Sequence, residues 1–171
     1  MSSVRKRAAA RAVARRVAGL PEFRRARVVG MFLSLSSEIE TAPLMTVAWR
    51  AGKTVAVPVV FPEECRMRFA SLPVERARLT KNVYGILEPV HPEWVNFLDV
   101  VIVPGAAFSA RGDRLGTGAG YYDRFLAERS RPKSIGVCFD EQRAVRLPCA
   151  AHDQRVDCVV TPSHMDRVRH A

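Results

Sequence analysis

Between Leu98 and Pro104 the chain reads Leu-Asp-Val-Val-Ile-Val-Pro, an unbroken apolar and β-branched run behind a single acid. A half-solvated strand would alternate apolar and polar residues. This one does not, so it belongs inside a sheet covered on both faces, which is the habit of parallel sheets in α/β domains. Further apolar strands are expected at Val28 to Leu33, at Thr54 to Val60 with Pro58 interrupting, at Ser134 to Phe139 and at Val156 to Val160. Helical segments lie between them. Residues 7–18 are rich in alanine and arginine, with Val13, Val17 and Leu20 on one face and an end near Gly19-Leu20-Pro21. Pro43 to Ala51 carries its proline in the first turn and Gly52 where a C-terminal cap is needed. This alternation, without a repeat or a long linker, predicts a single-domain three-layer α/β/α sandwich on a largely parallel open sheet, mixed at an edge near Arg66 to Leu72. The expected organisation is a basic helical segment over 1–27, the α/β domain over 28–162 and a polar tail over 163–171.

A chain of 171 residues buries an adequate core without disulfides or metal staples. Cys65, Cys138, Cys149 and Cys158 show no C-x-x-C spacing and read as small apolar residues in a reducing cytoplasm. Neither a membrane span nor a secretory h-region is visible. The net charge of +10 suggests a nucleic-acid binder until it is located: nine basic residues against Glu22 stand within residues 1–27, leaving only +2 for the rest. Such a run is commonly a solvated helix face, so nucleic acid is not an expected partner.

After the Leu98 run comes Arg111 to Phe125, Arg-Gly-Asp-Arg-Leu-Gly-Thr-Gly-Ala-Gly-Tyr-Tyr-Asp-Arg-Phe, with Gly116, Gly118 and Gly120 at every second position. Glycine lets backbone N–H groups approach a phosphate and tolerates positive φ, and strand, glycine loop and helix together can set an anion at a helix N-terminus. The spacing is neither the Walker pattern nor the dinucleotide fingerprint. A tight strand-to-helix turn explains three glycines equally well. Nearby, Arg114 can pair a phosphate and Asp123 can hold magnesium. Glu38 follows the first strand at the end where open sheets bind ligands, although a surface-loop glutamate is the plainer reading. Tyr84 offers an aromatic wall to a flat ligand or a packing ring. Asp153 can face the glycine loop as a second oxygen ligand or bond its own turn, and His152 reads as a surface histidine.

Val-Pro-Gly-Ala-Ala-Phe (103–108) followed by Arg-Leu-Gly-Thr-Gly-Ala-Gly-Tyr-Tyr-Asp-Arg-Phe-Leu (114–126) closely resembles the signature of 5-formyltetrahydrofolate cyclo-ligases, and the resemblance runs from about Val28 to Pro162. It implies ATP-dependent closure of 5-formyltetrahydrofolate to 5,10-methenyltetrahydrofolate by a cytoplasmic, monomeric enzyme, with magnesium accompanying ATP and no nucleophilic side chain. Carried over, Arg114, Leu115, Gly116, Thr117, Gly118, Ala119, Gly120, Tyr121 and Tyr122 would surround the nucleotide. Leu33, Glu38, Tyr84 and the stretch from Thr117 to Tyr121 would touch the reduced folate, and Asp123 and Asp153 would hold the metal. Two departures stand out. Family members begin with a helix carrying Lys-x-x-x-Arg, whose charges meet ATP; this chain has fewer residues ahead of Val28, and Lys6, Arg7 and Arg11 fall out of register. Ala119 stands where other members have lysine or glycine. The alternative reading is therefore a family-shaped protein that binds folate or nucleotide with little or no turnover.

Overall fold

A computed structural model describes residues 1–74, 78–116, 118–128, 131–150 and 152–168. The helices are α1 (Ser3–Gly19), α2 (Pro21–Arg25), α3 (Ala42–Arg50) and α4 (Tyr121–Leu126). The strands are β1 (Val28–Gly30), β2 (Thr54–Phe61), β3 (Arg66–Ser71), β4 (Leu79–Lys81), β5 (Leu87–Pro89), β6 (Trp94–Val95), β7 (Val100–Val103), β8 (Ala107–Ser109), β9 (Arg114–Leu115), β10 (Lys133–Val137), β11 (Arg143–Ala144), β12 (Cys158–Val160) and β13 (Met165–Arg167). The main sheet runs β13-β12-β10-β7-β1-β2-β3-β6. Its inner pairings, from β12 across to β2, are parallel, whereas β13 and the β3-β6 edge are antiparallel. The expected mixed edge falls on β3.

The Leu98 run becomes β7, in which Val100, Val101, Ile102 and Val103 are all buried. Side chains alternate across a strand. Val100 and Ile102 pack with the helical cover of α1, α2 and α3, and Val101 and Val103 pack with Phe108 and Leu126 on the other face. Each such side chain stabilises the fold by roughly 1.5–3 kcal/mol. The lone acid, Asp99, is a tether. Its carboxylate accepts the backbone N–H groups of Arg27 and Val28 at 2.7 and 2.9 Å and so pins the start of β1 beside β7.

In α1, Ala10, Val13, Ala14 and Val17 are buried on one face while Arg7, Arg11 and Arg15 stay exposed on the other. The helix begins at Ser3, one turn earlier than its composition predicts, because the Ser2 hydroxyl accepts the N–H of Arg5 at 3.4 Å. It stops at Leu20, which precedes a proline and is extended. Pro58 lies within β2 beyond the last β1 partner, Ala56, so its missing N–H leaves no parallel partner unpaired. The tail expected after Pro162 supplies β13, a correction: its pairing to β12 uses backbone groups and leaves Met165 and Arg167 exposed, so no apolar pattern announces it. No helix among the described residues is long and apolar enough to cross a membrane.

Candidate active site

Because β1 and β7 are parallel neighbours, the segments that follow them leave from the same edge of the sheet. One carries Glu38 and the other leads to the glycine loop. The chain does not pass straight from β7 into that loop; an antiparallel hairpin, β8-β9, comes between, with Phe108 opposite Arg114. Phe108 is fully buried, and Gly105 lacks a side chain where a Cβ would lie 2.8 Å from the Phe108 ring and 3.1 Å from Arg114 Cγ. The hairpin therefore delivers Arg114 into the protein.

The Arg114 side chain is only 5% exposed and donates from Nη2 to Asp123 Oδ2 at 2.7 Å. Asp123 Oδ1 accepts the backbone N–H of Gln154 at 3.2 Å. The guanidinium carbon stands 5.8 Å from the centre of the Tyr122 ring. Arg114 Nε and the Tyr122 hydroxyl are both buried and have no partner among the described residues.

The three glycines serve different ends. A Cβ on Gly116 would meet Arg114 Nη1 at 2.7 Å, and one on Gly120 would meet Arg124 Nη1 at 2.9 Å. Gly118, with φ +97°, faces open space. Thr117 lies outside the described residues. Arg124, a residue to which the sequence alone assigns no role, donates from Nη2 to the Ala119 carbonyl at 2.6 Å and from Nε to the Cys65 carbonyl. It ties the loop to the β2-β3 turn. Two arginines flanking three glycines were the available sign, since each guanidinium needs both acceptors and room. The helix after the loop, α4, has only six residues, and Gly120 ahead of it is left-handed with φ +66°. So short a helix adds little macrodipole, and exposed loop amides matter more.

Tyr84 sits on the β4-β5 turn, where the Asn82 side chain accepts the N–H groups of Tyr84 and Ile86 at 2.9 and 3.0 Å. Its ring meets Tyr121 edge-on, with centroids 6.1 Å apart and hydroxyls 3.0 Å apart. The Tyr121 hydroxyl is pushed up to about 12, first by that hydrogen bond and then by burial. Leu33 is half-buried against the helix-covered core. Glu38 accepts the Leu35 N–H through Oε2 at 2.8 Å; burial raises its pKa, and the Leu35 bond opposes the rise. Burial, then the negative charge of Glu38, raise the pKa of Tyr122, against the pull of Arg114. Tyr122 thus lies within electrostatic reach of both groups.

A cavity of about 340 Å³ beside the loop is lined by Arg114, Asp113, Asp153, Gln154 and Arg155 among others. Asp113 accepts Ser109 Oγ and Arg155 Nε, each at 2.7 Å; burial alone would raise its pKa, but these bonds lower it. Leu115 and Ala119 are exposed. A larger groove, about 900 Å³ between α1 and α3, has Arg7, Arg11, Arg15 and Arg50 on its walls but touches none of the glycine loop.

Both expected magnesium ligands are engaged by protein groups in the free protein. Asp123 is engaged by Arg114 and by Gln154, and Asp153 Oδ2 accepts the Ala150 N–H at 2.7 Å. Among the described residues no three of His, Cys, Asp and Glu gather where they could hold an ion. Magnesium needs several oxygen ligands in near-octahedral geometry, many of them commonly supplied by substrate phosphates and water.

The sequence profile of the 5-formyltetrahydrofolate cyclo-ligase family matches residues 1–162. The 5-formyltetrahydrofolate cyclo-ligase of Escherichia coli K12 is 36% identical over 146 residues, 81% of this chain and 79% of that protein. The NMR structure of Aquifex aeolicus 5,10-methenyltetrahydrofolate synthetase superposes with a TM-score of 0.85 at 32% identity, covering 100% of this chain and 87% of that one. A Mycoplasma pneumoniae 5,10-methenyltetrahydrofolate synthetase shares the fold, with a TM-score of 0.71 at 18% identity over 95% of this chain and 90% of that one.

Proposed function

The chain belongs to the 5-formyltetrahydrofolate cyclo-ligase family, and from that premise we propose that it converts 5-formyltetrahydrofolate and ATP to 5,10-methenyltetrahydrofolate, ADP and phosphate. A formamide oxygen is a very poor leaving group. Phosphorylation cures this: the formyl oxygen bonds to the γ-phosphorus while the bond from that phosphorus to ADP breaks, its electron pair leaving with ADP. N10 then bonds to the formyl carbon and gives its proton to water. The carbon–oxygen bond breaks with its pair on phosphate, and the ring is closed.

Such a reaction needs positioning and charge neutralisation more than a nucleophilic side chain. Arg114 is the observation that carries the reading: a side chain 95% withdrawn from solvent, its buried Nε without a partner among the described residues, held at the base of a glycine loop. In this reading the phosphates lie along the backbone from Leu115 to Tyr121, with Gly118 offering the unobstructed approach, and Arg114 faces their charge. Glu38 accepts the adjacent N–H donors of the pterin. Leu33 lines the pterin side, and the Tyr84-Tyr121 pair flanks the ring system. Magnesium enters as the ion of Mg·ATP; Asp153, on the wall shared with Arg114, stands on the side where it would be met, and Asp123 holds Arg114. The reading extends to a monomer working in the cytoplasm.

Incubation of the protein with 5-formyltetrahydrofolate and Mg·ATP tests this directly. Methenyl product and ADP should appear together in equal amounts. No product above a no-enzyme control at several pH values would remove the proposal.

A further inference from the structure

Arg114 Nε and the Tyr122 hydroxyl are the buried side-chain polar atoms left without a partner among the described residues, and the two residues are in ring contact. A buried hydroxyl that makes no hydrogen bond costs the folded protein its full desolvation penalty. The Tyr122 ring packs against the apolar core formed with Phe108 and Leu126, and phenylalanine would pack there without that penalty. Among the described residues, then, nothing bonds this oxygen in the free protein.

Its surroundings indicate its partner. The negative charge of Glu38 and the positive charge of Arg114 both act on the hydroxyl, and the Arg114 guanidinium carbon stands 5.8 Å from the centre of its ring. On the function proposed above, on which this inference rests, Glu38 holds the pterin and Arg114 faces the phosphates. The atom that joins a pterin-borne carbon to a phosphate is the oxygen bridging the formyl carbon and the transferred phosphorus. We propose that Tyr122 donates its O–H to this bridging oxygen and acts on ring closure rather than on phosphoryl transfer.

The chemistry distinguishes the two steps. During transfer the formyl oxygen gives up electron density to phosphorus, so a donor to it brings no advantage. During closure N10 bonds to the carbon, its proton goes to water, and the carbon–oxygen bond breaks with its pair moving onto the departing phosphate. Negative charge develops on the bridging oxygen, and a fixed donor there stabilises the transition state more than the ground state. Tyr122 keeps its own proton throughout: burial raises its pKa, so it acts as a neutral donor.

The test is Tyr122→Phe under single-turnover conditions with Mg·ATP and 5-formyltetrahydrofolate, following ADP and methenyl product separately. ADP should form within about twofold of the wild-type rate while the methenyl product forms at least about tenfold more slowly. The melting temperature of the free variant should stay level or rise. Unchanged rates for both products would show that the hydroxyl holds only water, and rates that fall together would move its action to the transfer step; either result overturns the inference. A drop in melting temperature parallel to lost activity would make the residue structural and overturn it equally. A wild type that forms neither ADP nor product removes the function reading itself, whereas an active wild type with an unaltered Phe variant removes only the role of Tyr122.

Discussion

Gly116 has no side chain because Arg114 occupies the place one would take: a Cβ there would lie 2.7 Å from Arg114 Nη1. The glycine makes room for a protein cation, not directly for a phosphate. Gly116→Ala should push the guanidinium off Asp123 and lower kcat/KM for ATP by about tenfold to a hundredfold, since an ångström of misplacement is enough for that. Gly118→Ala meets open space in the free protein but must hold φ +97° and narrows the approach proposed for the phosphates, so it should cost about 1–2 kcal/mol of stability and also raise the KM for ATP. Steady-state kinetics and chemical unfolding of both variants check this; an unchanged KM for ATP in Gly118→Ala would remove Gly118 from the phosphate path.

The ion pair between Arg114 and Asp123 is nearly dry, with side chains 5% and 16% exposed. Removing one partner leaves a buried uncompensated charge, for which about 3–5 kcal/mol is usual. Asp123→Asn should therefore unfold at markedly lower urea concentration, and Arg114→Met with Asp123→Leu should recover much of that stability without recovering product formation. Recovery of activity in the double variant would show that the pair serves folding alone.

The contrast between β7 and β9 explains what could be read from the chain and what could not. Val100 to Val103 are buried on both faces, so composition alone identifies the strand and its place in the sheet. Residues 105–115 carry one large buried apolar side chain, Phe108, and their pairing is backbone-driven, so the hairpin that delivers Arg114 left no period to detect. The residues foreseen around the ligand do converge in part: Tyr84 reaches Tyr121 across 37 positions, and Asp153 shares a cavity with Arg114. The partner of Asp123 was missed because metal chemistry and a salt bridge ask for the same carboxylate, and only distance separates them. Arg124 and Gln154 act through or on backbone groups, which sequence patterns do not display.

Glu38 is held in a setting that disfavours its charge. Burial raises its pKa, so the folded state binds that proton more tightly than the unfolded state, and stability falls as pH rises through the ordinary carboxylate range. Glu38→Gln should raise the melting temperature at pH 7, with the advantage vanishing near pH 4, where the wild-type carboxyl is also neutral. Losing charged hydrogen bonds to the pterin should lower kcat/KM for the folate about tenfold to a hundredfold. Thermal melts across pH and folate-dependent kinetics check both halves; a variant with unaltered kinetics would remove Glu38 from the site.

Tyr84 is 50% exposed, and its hydroxyl is bonded to Tyr121 at 3.0 Å. An exposed neutral bond contributes about 1 kcal/mol or less, so Tyr84→Phe should barely change the melting temperature. Its expected signature is a KM for the folate raised about twofold to tenfold with the KM for ATP unchanged. A change confined to ATP would place this aromatic pair against the nucleotide instead.

Asp157 stands where the amino ends of the parallel neighbours β10 and β12 meet. Burial alone would raise its pKa, but the Ser134 N–H at 2.8 Å and the two Arg131 nitrogens at 3.0 and 3.1 Å outweigh it and hold the carboxyl at about 2. Its side chain is only 13% exposed, and a fall from 3.8 to about 2 corresponds to about 2 kcal/mol. Because the folded pKa is depressed, this stabilisation is complete above about pH 5 and disappears as pH falls through the folded value. Asp157→Asn should thus be less stable than wild type by a constant margin from pH 5 to 8, and the two should converge below pH 4. Urea unfolding at pH 2.5, 4 and 7 gives the margin directly, and one that did not shrink in acid would assign the loss to packing or to the neutral hydrogen bonds.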